Sequence, residues 1–271
     1  MQSPLIDVEE LASLLAAEQC TVLDVRYRLG GPPGDEEFAR GHIPGAAYVD
    51  LDSALAAAPG PRGRHPLPDV DVFETAMRAA GVRDDLPVVV YDDWGGRAAA
   101  RCWWLLRWAG HRAVRVLDGG WPAWAEAGRD RSDVQKPRRA GDFTARPGVL
   151  PVLAVGEVLA VAERGVLVDA REPERFRGEV EPVDPVAGHI PGAVNVPTSA
   201  NLRADGRFRS PEQLRELYSM AHGREVATYC GSGVTSAHDI LAMAVAGIEA
   251  TLYPGSWSEW VADPSRPVAT G

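Results

Sequence analysis

Short apolar runs recur along the chain, and each ends in a polar loop. Those rich in β-branched residues are typical of buried strands: 21–26, 86–91, 166–171 and 225–229. Helical stretches such as 98–109 and 236–246 lie between them. Because parallel strands need a crossover connection, usually a helix, this alternation predicts an α/β fold with mainly parallel sheets.

The second half of the chain repeats the first in the same order. Residues 41–46 and 188–193 both read GHIPGA, and each follows an apolar run that ends in Asp-x-Arg. Further on, DGGWPAW at 118–124 corresponds to PGSWSEW at 254–260. Preserved order indicates duplication, so we expect two tandem domains of one kind.

The segment 129–151 lies between the copies and is rich in charge, proline and glycine, without hydrophobic periodicity. That composition is typical of a linker. We therefore predict a first domain over 1–128, a linker over 129–151 and a second domain over 152–271. Ligands of parallel sheets bind at the carboxyl ends of strands, which directs attention to the loops there.

Composition narrows the class of protein. The 45% hydrophobic content is enough for a sizeable core, and the net charge of -10 argues against nucleic acid and anionic membranes as partners. No apolar run approaches the ~18 residues that span a membrane. Asp7 and Glu10 predict a capped amphipathic helix at the N-terminus rather than a signal peptide.

The three cysteines are Cys20, Cys102 and Cys230. They are too few and too scattered for a disulfide framework or a CxxC metal site. We therefore expect reduced thiols, a cytoplasmic protein and no metal.

The loop YCGSGVTS follows the strand at 225–229 and precedes a helix. Gly231 and Gly233 allow successive amides to face one anion, and the helix N-terminus adds its positive end. Both effects favour a thiolate, which makes Cys230 a candidate nucleophile, with hydroxyl donors at Ser232 and Thr235. The alternative is a buried structural cysteine at a strand end.

A phosphatase loop has a similar nest but needs Cys-x5-Arg, whose arginine binds the phosphate with two hydrogen bonds. Here the sixth position after Cys230 is Ser236. Phosphoryl chemistry is therefore disfavoured.

The paired GHIPGA motifs, CGSGVT at 230–235 and the closing DGGWPAW and GSWSEW segments resemble the tandem-domain rhodanese family over nearly the whole chain. CGSGVT is similar to the 3-mercaptopyruvate sulfurtransferase branch. The resemblance implies two rhodanese-like domains, each a mainly parallel sheet flanked by helices. It also implies that Asp92, which aligns with Cys230, leaves the first domain non-catalytic.

The resemblance implies a reaction without metal or organic cofactor. Cys230 would take a sulfane sulfur from a small anionic donor, carry it as a persulfide and pass it to a thiol, a protein thiol or cyanide. The loop that cradles the persulfide would be Gly231, Ser232, Gly233, Val234 and Thr235. An alternative of a different class is a sulfur-relay module that serves a partner protein, with little turnover of small molecules.

For the donor, the resemblance implies Arg175 as the binding residue and Arg177 as a second candidate. The further arginine of mercaptopyruvate enzymes falls at Val183 by its spacing to GHIPG, and valine cannot bind a carboxylate. Gly231 and Ser232 lack the cations found in the loop of thiosulfate enzymes. The donor therefore stays open between 3-mercaptopyruvate and thiosulfate.

The resemblance also implies a proton relay in which Ser232 works with His42 and a nearby acid, Asp35 or Glu36. Histidine suits proton transfer near neutral pH. His189 occupies the same place in the second copy, so the alternative is that histidine fixes a turn in both.

Overall fold

The computed structural model describes residues 3–135 and 137–271. The chain forms two compact units. The first comprises the chain up to Ala56, Pro68–Leu150 and Asp205–Arg207, and the second comprises Ala57–Leu67, Pro151–Ala204 and Phe208–Gly271. An eleven-residue stretch of the first copy, 57–67, thus belongs to the second unit.

Of the segment 129–151, which the sequence indicates as a linker, the part up to Leu150 packs within the first unit. Ser132 pairs with His42 through two backbone hydrogen bonds, of 2.8 and 2.9 Å. Phe143 is fully buried and meets Phe73 edge to face, with ring centroids 6.3 Å apart. A single buried aromatic residue leaves no periodic pattern in the sequence, which is why this packing has no signal there.

The first unit contains a parallel sheet with the strand order β1-β5-β4-β2-β3. Its strands are β1 (Leu5–Ile6), β2 (Thr21–Asp24), β3 (Ala47–Tyr48), β4 (Val88–Tyr91) and β5 (Val114–Leu117), and its helices are α1 (Val8–Ala16), α2 (Gly34–Arg40), α3 (Leu51–Ala54), α4 (Val70–Ala79), α5 (Arg97–Trp108) and α6 (Gly120–Glu126). Residues from helices and strands share one core, among them Leu11, Val22, Phe38, Val89 and Trp124.

The second unit repeats this arrangement with the parallel order β7-β6-β8-β9. Its strands are β6 (Val166–Asp169), β7 (Val194–Asn195), β8 (Val226–Tyr229) and β9 (Thr251–Leu252), and its helices are α7 (Val158–Arg164), α8 (Pro173–Phe176), α9 (Pro211–Leu217), α10 (Ser236–Ala246) and α11 (Ser256–Trp260). Val152 adds a parallel bridge to Leu252, at the position that β1 has beside β5. Its core includes Val161, Leu167, Ala227 and Trp257.

The predicted α/β fold, with two domains of parallel sheet flanked by helices, is confirmed. The helix predicted at 236–246 is α10, and the helix predicted at 98–109 is α5, shifted by one residue. Asp7 caps α1 by accepting a hydrogen bond from the Glu10 amide at 2.8 Å. Within the described part of the chain, no helix combines the length and apolar character needed to cross a membrane.

The Asp-x-Arg motif forms a buried ion pair that holds the GHIPGA turn. Arg171 Nη2 lies 2.6 Å from Asp169 Oδ2 and donates a 2.7 Å hydrogen bond to the Gly188 carbonyl oxygen. The first unit repeats the arrangement with Arg26, Asp24 and Gly41. Because a buried charge needs a partner, this repeated pair fixes the turn in both units.

Candidate active site

Cys230 stands at the carboxyl end of β8, and the loop 230–235 leads from it into α10. The Gly233 amide donates to Cys230 Sγ at 3.1 Å. Gly233 has φ +83°, and a Cβ atom there would lie 2.2 Å from the Pro254 carbonyl oxygen, so only glycine fits. The loop therefore turns a backbone donor onto the sulfur, as the small residues predict.

The GSWSEW segment fixes the backbone of this loop. The Cys230 amide donates to Ser256 Oγ at 3.1 Å, and the Trp257 amide donates to the Cys230 carbonyl oxygen at 3.0 Å. The Ser258 amide donates to the Gly231 carbonyl oxygen at 2.9 Å. The loop conformation is thus set by the start of α11 as well as by its own glycines.

The three thiols differ in acidity. Burial alone would raise the pKa of Cys230, but hydrogen bonds from the Thr235 hydroxyl and from nearby backbone amides outweigh it, and the pKa is lowered. Burial raises the pKa of Cys20 to about 11 and raises that of Cys102 as well. Cys230 is therefore the cysteine that ionises most readily.

Asp92 takes the corresponding position after β4 in the first unit. Its carboxylate accepts hydrogen bonds from the amides of Trp94 at 2.9 Å, Gly96 at 2.8 Å and Ala99 at 2.9 Å. Burial raises the pKa of Asp92, and these amides oppose the shift. The donors of the first loop are therefore occupied by a group that cannot carry sulfur.

Ser232 is held by a histidine that sequence reasoning missed. Its Oγ lies 2.8 Å from Nδ1 of His65, in the segment 57–67 that belongs to the second unit. The neighbouring Gly63 has φ +103°, and a Cβ atom there would meet the Gly255 carbonyl oxygen at 2.7 Å. The segment is thus seated closely on the α11 side of the cysteine loop.

His42 has the contacts of a residue that fixes a turn. Its ring stacks on Phe38 with centroids 3.7 Å apart, and Nδ1 donates to the Phe38 carbonyl oxygen at 2.9 Å. His189 repeats both contacts with Phe176, at 3.7 and 2.7 Å. Asp35 is exposed in the first turn of α2.

Arg175 lies beside the cysteine loop. Its Nε and Nη2 donate to Glu181 at 3.1 and 2.6 Å, and Nη2 also contacts Asp184 at 3.2 Å. Burial alone would raise the pKa of Glu181, but hydrogen bonds from Arg175 and two backbone amides lower it. A Cβ atom at Gly231 would lie 3.4 Å from Arg175 Nη1, so this side of the guanidinium faces the loop.

Arg177 and Val183 are placed differently. Arg177 donates to Glu179 at 2.7 Å, and its side chain is 40% exposed. Val183 is exposed, and its backbone amide donates to Glu181 at 3.1 Å. Of the two arginines expected from the sequence, Arg175 is the one at the loop.

A second guanidinium comes from Arg64, which the sequence analysis also missed. Its Nη1 forms an ion pair with the buried Asp184, the acid that also contacts Arg175. Its Nη2 lies 3.0 Å from the position that a Cβ atom at Gly231 would take. Two cationic groups therefore meet the loop directly after Cys230.

Comparison with known proteins identifies the family. Residues 7–127 and 155–263 match the rhodanese-like domain, one segment in each half of the chain. The chain belongs to the rhodanese family.

Its relatives are named as sulfurtransferases. This rhodanese is 46% identical to "Putative thiosulfate sulfurtransferase SseB" of Mycobacterium tuberculosis, with 98% of this chain and 97% of that protein covered. It is also 46% identical to "Probable 3-mercaptopyruvate sulfurtransferase" of Pseudomonas aeruginosa, with 98% of each covered. Among solved structures, SseA of Escherichia coli, described among 3-mercaptopyruvate sulfotransferases, superposes with a TM-score of 0.84 at 31% identity, with 95% of this chain and 100% of that one covered.

This tandem rhodanese is therefore a sulfurtransferase, as the motifs indicate. The two relatives at equal identity are named for different sulfur donors. Sequence similarity therefore does not decide between the two donors, and the argument has to come from the site.

Proposed function

We propose that this sulfurtransferase takes a sulfane sulfur onto Cys230, holds it as a persulfide and delivers it to a thiol or to cyanide. The observation that carries the proposal is the lowered pKa of Cys230 in a loop whose Gly233 amide points at the sulfur. The same donors that stabilise a thiolate stabilise the negative charge of a persulfide.

The preferred donor in this proposal is 3-mercaptopyruvate. The Cys230 thiolate attacks the donor sulfur, an S–S bond forms, and the C–S bond breaks with its electron pair going to carbon. The resulting pyruvate enolate needs a proton to become pyruvate. Ser232 and His65 supply it, because a protonated His65 donates to the Ser232 hydroxyl, which passes a proton on.

Thiosulfate makes a different demand. The same attack breaks the S–S bond to sulfite, which leaves with the electron pair as a stable anion and needs no proton. A hydrogen-bonded serine and histidine beside the nucleophile therefore favour the carbon leaving group. His65 replaces His42 in the relay that we propose, because His65 is the histidine that contacts Ser232.

The persulfide is discharged by an acceptor that attacks its outer sulfur. A thiolate acceptor leaves as a persulfide and cyanide leaves as thiocyanate, and in both cases the Cys230 thiolate is regenerated. The Arg175 guanidinium, fixed by Glu181, attracts the anionic donor and then the anionic acceptor.

The test combines mass spectrometry with kinetics. After exposure to 3-mercaptopyruvate, one added sulfur is expected on the peptide that contains Cys230. Cys230→Ser should abolish transfer, whereas Cys20→Ser and Cys102→Ser should retain it. Sulfur on the Cys102 peptide would overturn the assignment, and a higher kcat/KM for thiosulfate than for 3-mercaptopyruvate would overturn the donor.

The alternative function, a sulfur-relay module that serves a partner protein, predicts a different result in this experiment. Complete persulfide formation on Cys230, with negligible turnover to free thiols or cyanide, would favour delivery to a protein thiol instead.

A further inference from the structure

Three well-buried carboxylates of this protein are bound by one edge of a guanidinium, formed by Nε and Nη2. The pairs have Nε to oxygen distances of 3.0 to 3.1 Å and Nη2 to oxygen distances of 2.6 Å: Arg26 with Asp24, Arg171 with Asp169, and Arg175 with Glu181. The edge matches a planar carboxylate through two parallel hydrogen bonds.

In Arg64 this edge holds no carboxylate of the described residues. Its ion pair with Asp184 uses Nη1. Its Nε is buried and has no hydrogen-bond partner anywhere in 3–135 or 137–271. A buried N–H of a charged group without an acceptor is unfavourable. Because the Arg64 side chain as a whole is still 27% exposed, an acceptor from outside the chain can approach its guanidinium.

Arg64 is also held in position. Its backbone amide donates to Ser258 Oγ at 3.1 Å, and Asp184, whose side chain is 3% exposed, contacts both Arg64 and Arg175. A bridging acid fixes the two guanidinium groups relative to each other. The next residue, His65, contacts Ser232, so one segment places a cation and a proton donor at the cysteine loop.

We propose that the Nε and Nη2 edge of Arg64 binds the carboxylate of the sulfur donor, beside Arg175. This inference rests on the proposed function. It assigns to Arg64 the binding of the donor carboxylate, for which mercaptopyruvate enzymes have an arginine at the position of Val183. It makes Arg64 a residue that determines specificity for thiols bearing an α-keto carboxylate. In 3-mercaptopyruvate two carbons separate the sulfur from the carboxylate, whereas the oxygens of thiosulfate are bonded to the atom next to the transferred sulfur. A guanidinium placed for the first distance therefore gains less from thiosulfate.

The experiment compares Arg64→Gln and Arg64→Lys with Arg62→Gln, a matched control in the same loop whose side chain is exposed. The KM for 3-mercaptopyruvate should rise about ten- to a hundredfold in Arg64→Gln, since a well-placed hydrogen bond to a charged group increases affinity by about that factor. Arg64→Lys should recover part of the loss, and Arg62→Gln should show none. The KM for thiosulfate should change by less than about threefold.

Binding is measured separately from turnover in the Cys230→Ser background. Calorimetric titration with 3-mercaptopyruvate should give a Kd that rises by a similar factor when Arg64→Gln is added. Thermal unfolding of each variant shows whether it is folded, and Arg64→Lys keeps the charge beside Asp184 if Arg64→Gln is not.

The outcomes separate this inference from the proposed function. If the unmodified protein forms no persulfide on Cys230, the proposed function fails. If the persulfide forms but Arg64→Lys and Arg64→Gln leave the KM and Kd for 3-mercaptopyruvate unchanged, the role of Arg64 is refuted. Equal losses for both donors would also refute it, because they would show a general anion site.

Discussion

The hydroxyl oxygen of Ser232 lies 2.8 Å from Nδ1 of His65, although 166 residues separate them in the sequence. Ser232 comes from the loop that carries the nucleophile, and His65 comes from a stretch of the first copy that packs with the second unit. The hydrogen bond therefore joins the loop that carries the nucleophile, in the second half of the chain, to a histidine from the first half.

Ser232→Ala and His65→Gln should lower kcat for 3-mercaptopyruvate by roughly 10²-fold or more, the usual effect of losing general acid catalysis. Turnover with thiosulfate should fall only a few-fold, since sulfite leaves without a proton. Steady-state assays with both donors measure the ratio. Equal losses for the two donors would remove the pair from the mechanism.

His42→Gln is the matched histidine control. We expect a lower melting temperature, because the stack on Phe38 and a buried hydrogen bond are lost, with the ratio of the two donor activities unchanged. A selective loss of 3-mercaptopyruvate turnover would return His42 to the relay.

Thr235→Val should shift the pH dependence of Cys230 alkylation to higher pH, so that the rise in rate on the acidic side begins later. The Thr235 hydroxyl lowers the pKa of Cys230, so its removal makes the thiolate form only at higher pH. A hydrogen bond to a charged group is worth about 1.5–3 kcal/mol, which corresponds to roughly one to two pH units. The rate of iodoacetamide alkylation against pH measures the shift, and an unmoved limb would show that Thr235 does not stabilise the thiolate.

Arg175→Ala should lower kcat/KM for both donors, because its charge serves any anion near the loop. Arg175→Lys should restore only part, since lysine cannot replace the bidentate contact with Glu181. Arg177→Ala is the control and should stay within about threefold, because its exposed pair with Glu179 is weak. A larger loss in Arg177→Ala than in Arg175→Ala would reverse the assignment.

Asp92→Asn should lower the free energy of unfolding by about 1–3 kcal/mol. An asparagine has one acceptor oxygen for the three backbone amides that bind Asp92, and its NH2 group would face at least one of those N–H donors. Asp93→Asn, which weakens a partly exposed ion pair with Arg28, should cost at most about 1 kcal/mol. Urea-induced unfolding measures both. Equal stabilities would show that the carboxylate of Asp92 does not hold its loop.

The sequence predicts what contiguous residues encode. The buried strands, α10 and the loop from Cys230 to Thr235 are each a single run of the chain, so pattern and composition identify them. Arg64, His65 and Asp184 reach the site through tertiary packing from irregular segments, where no periodicity places a side chain. A local sign of a binding segment is the cluster of basic residues Arg62-Gly63-Arg64-His65. In the structure Gly63 has a positive φ and lies against the Gly255 carbonyl oxygen, which brings the cluster close to α11.

The resident carboxylate of Asp92 has a consequence for how the two copies could change roles. Asp92→Cys would place a thiol in the first loop by a single amino-acid substitution, with backbone donors already in place. It would supply neither a histidine like His65, which contacts Ser232, nor a guanidinium like that of Arg64, because the segment that carries both residues belongs to the second unit. The second unit thus holds its own cysteine loop together with a segment of the first copy, and a single substitution at Asp92 would not make the two copies equivalent.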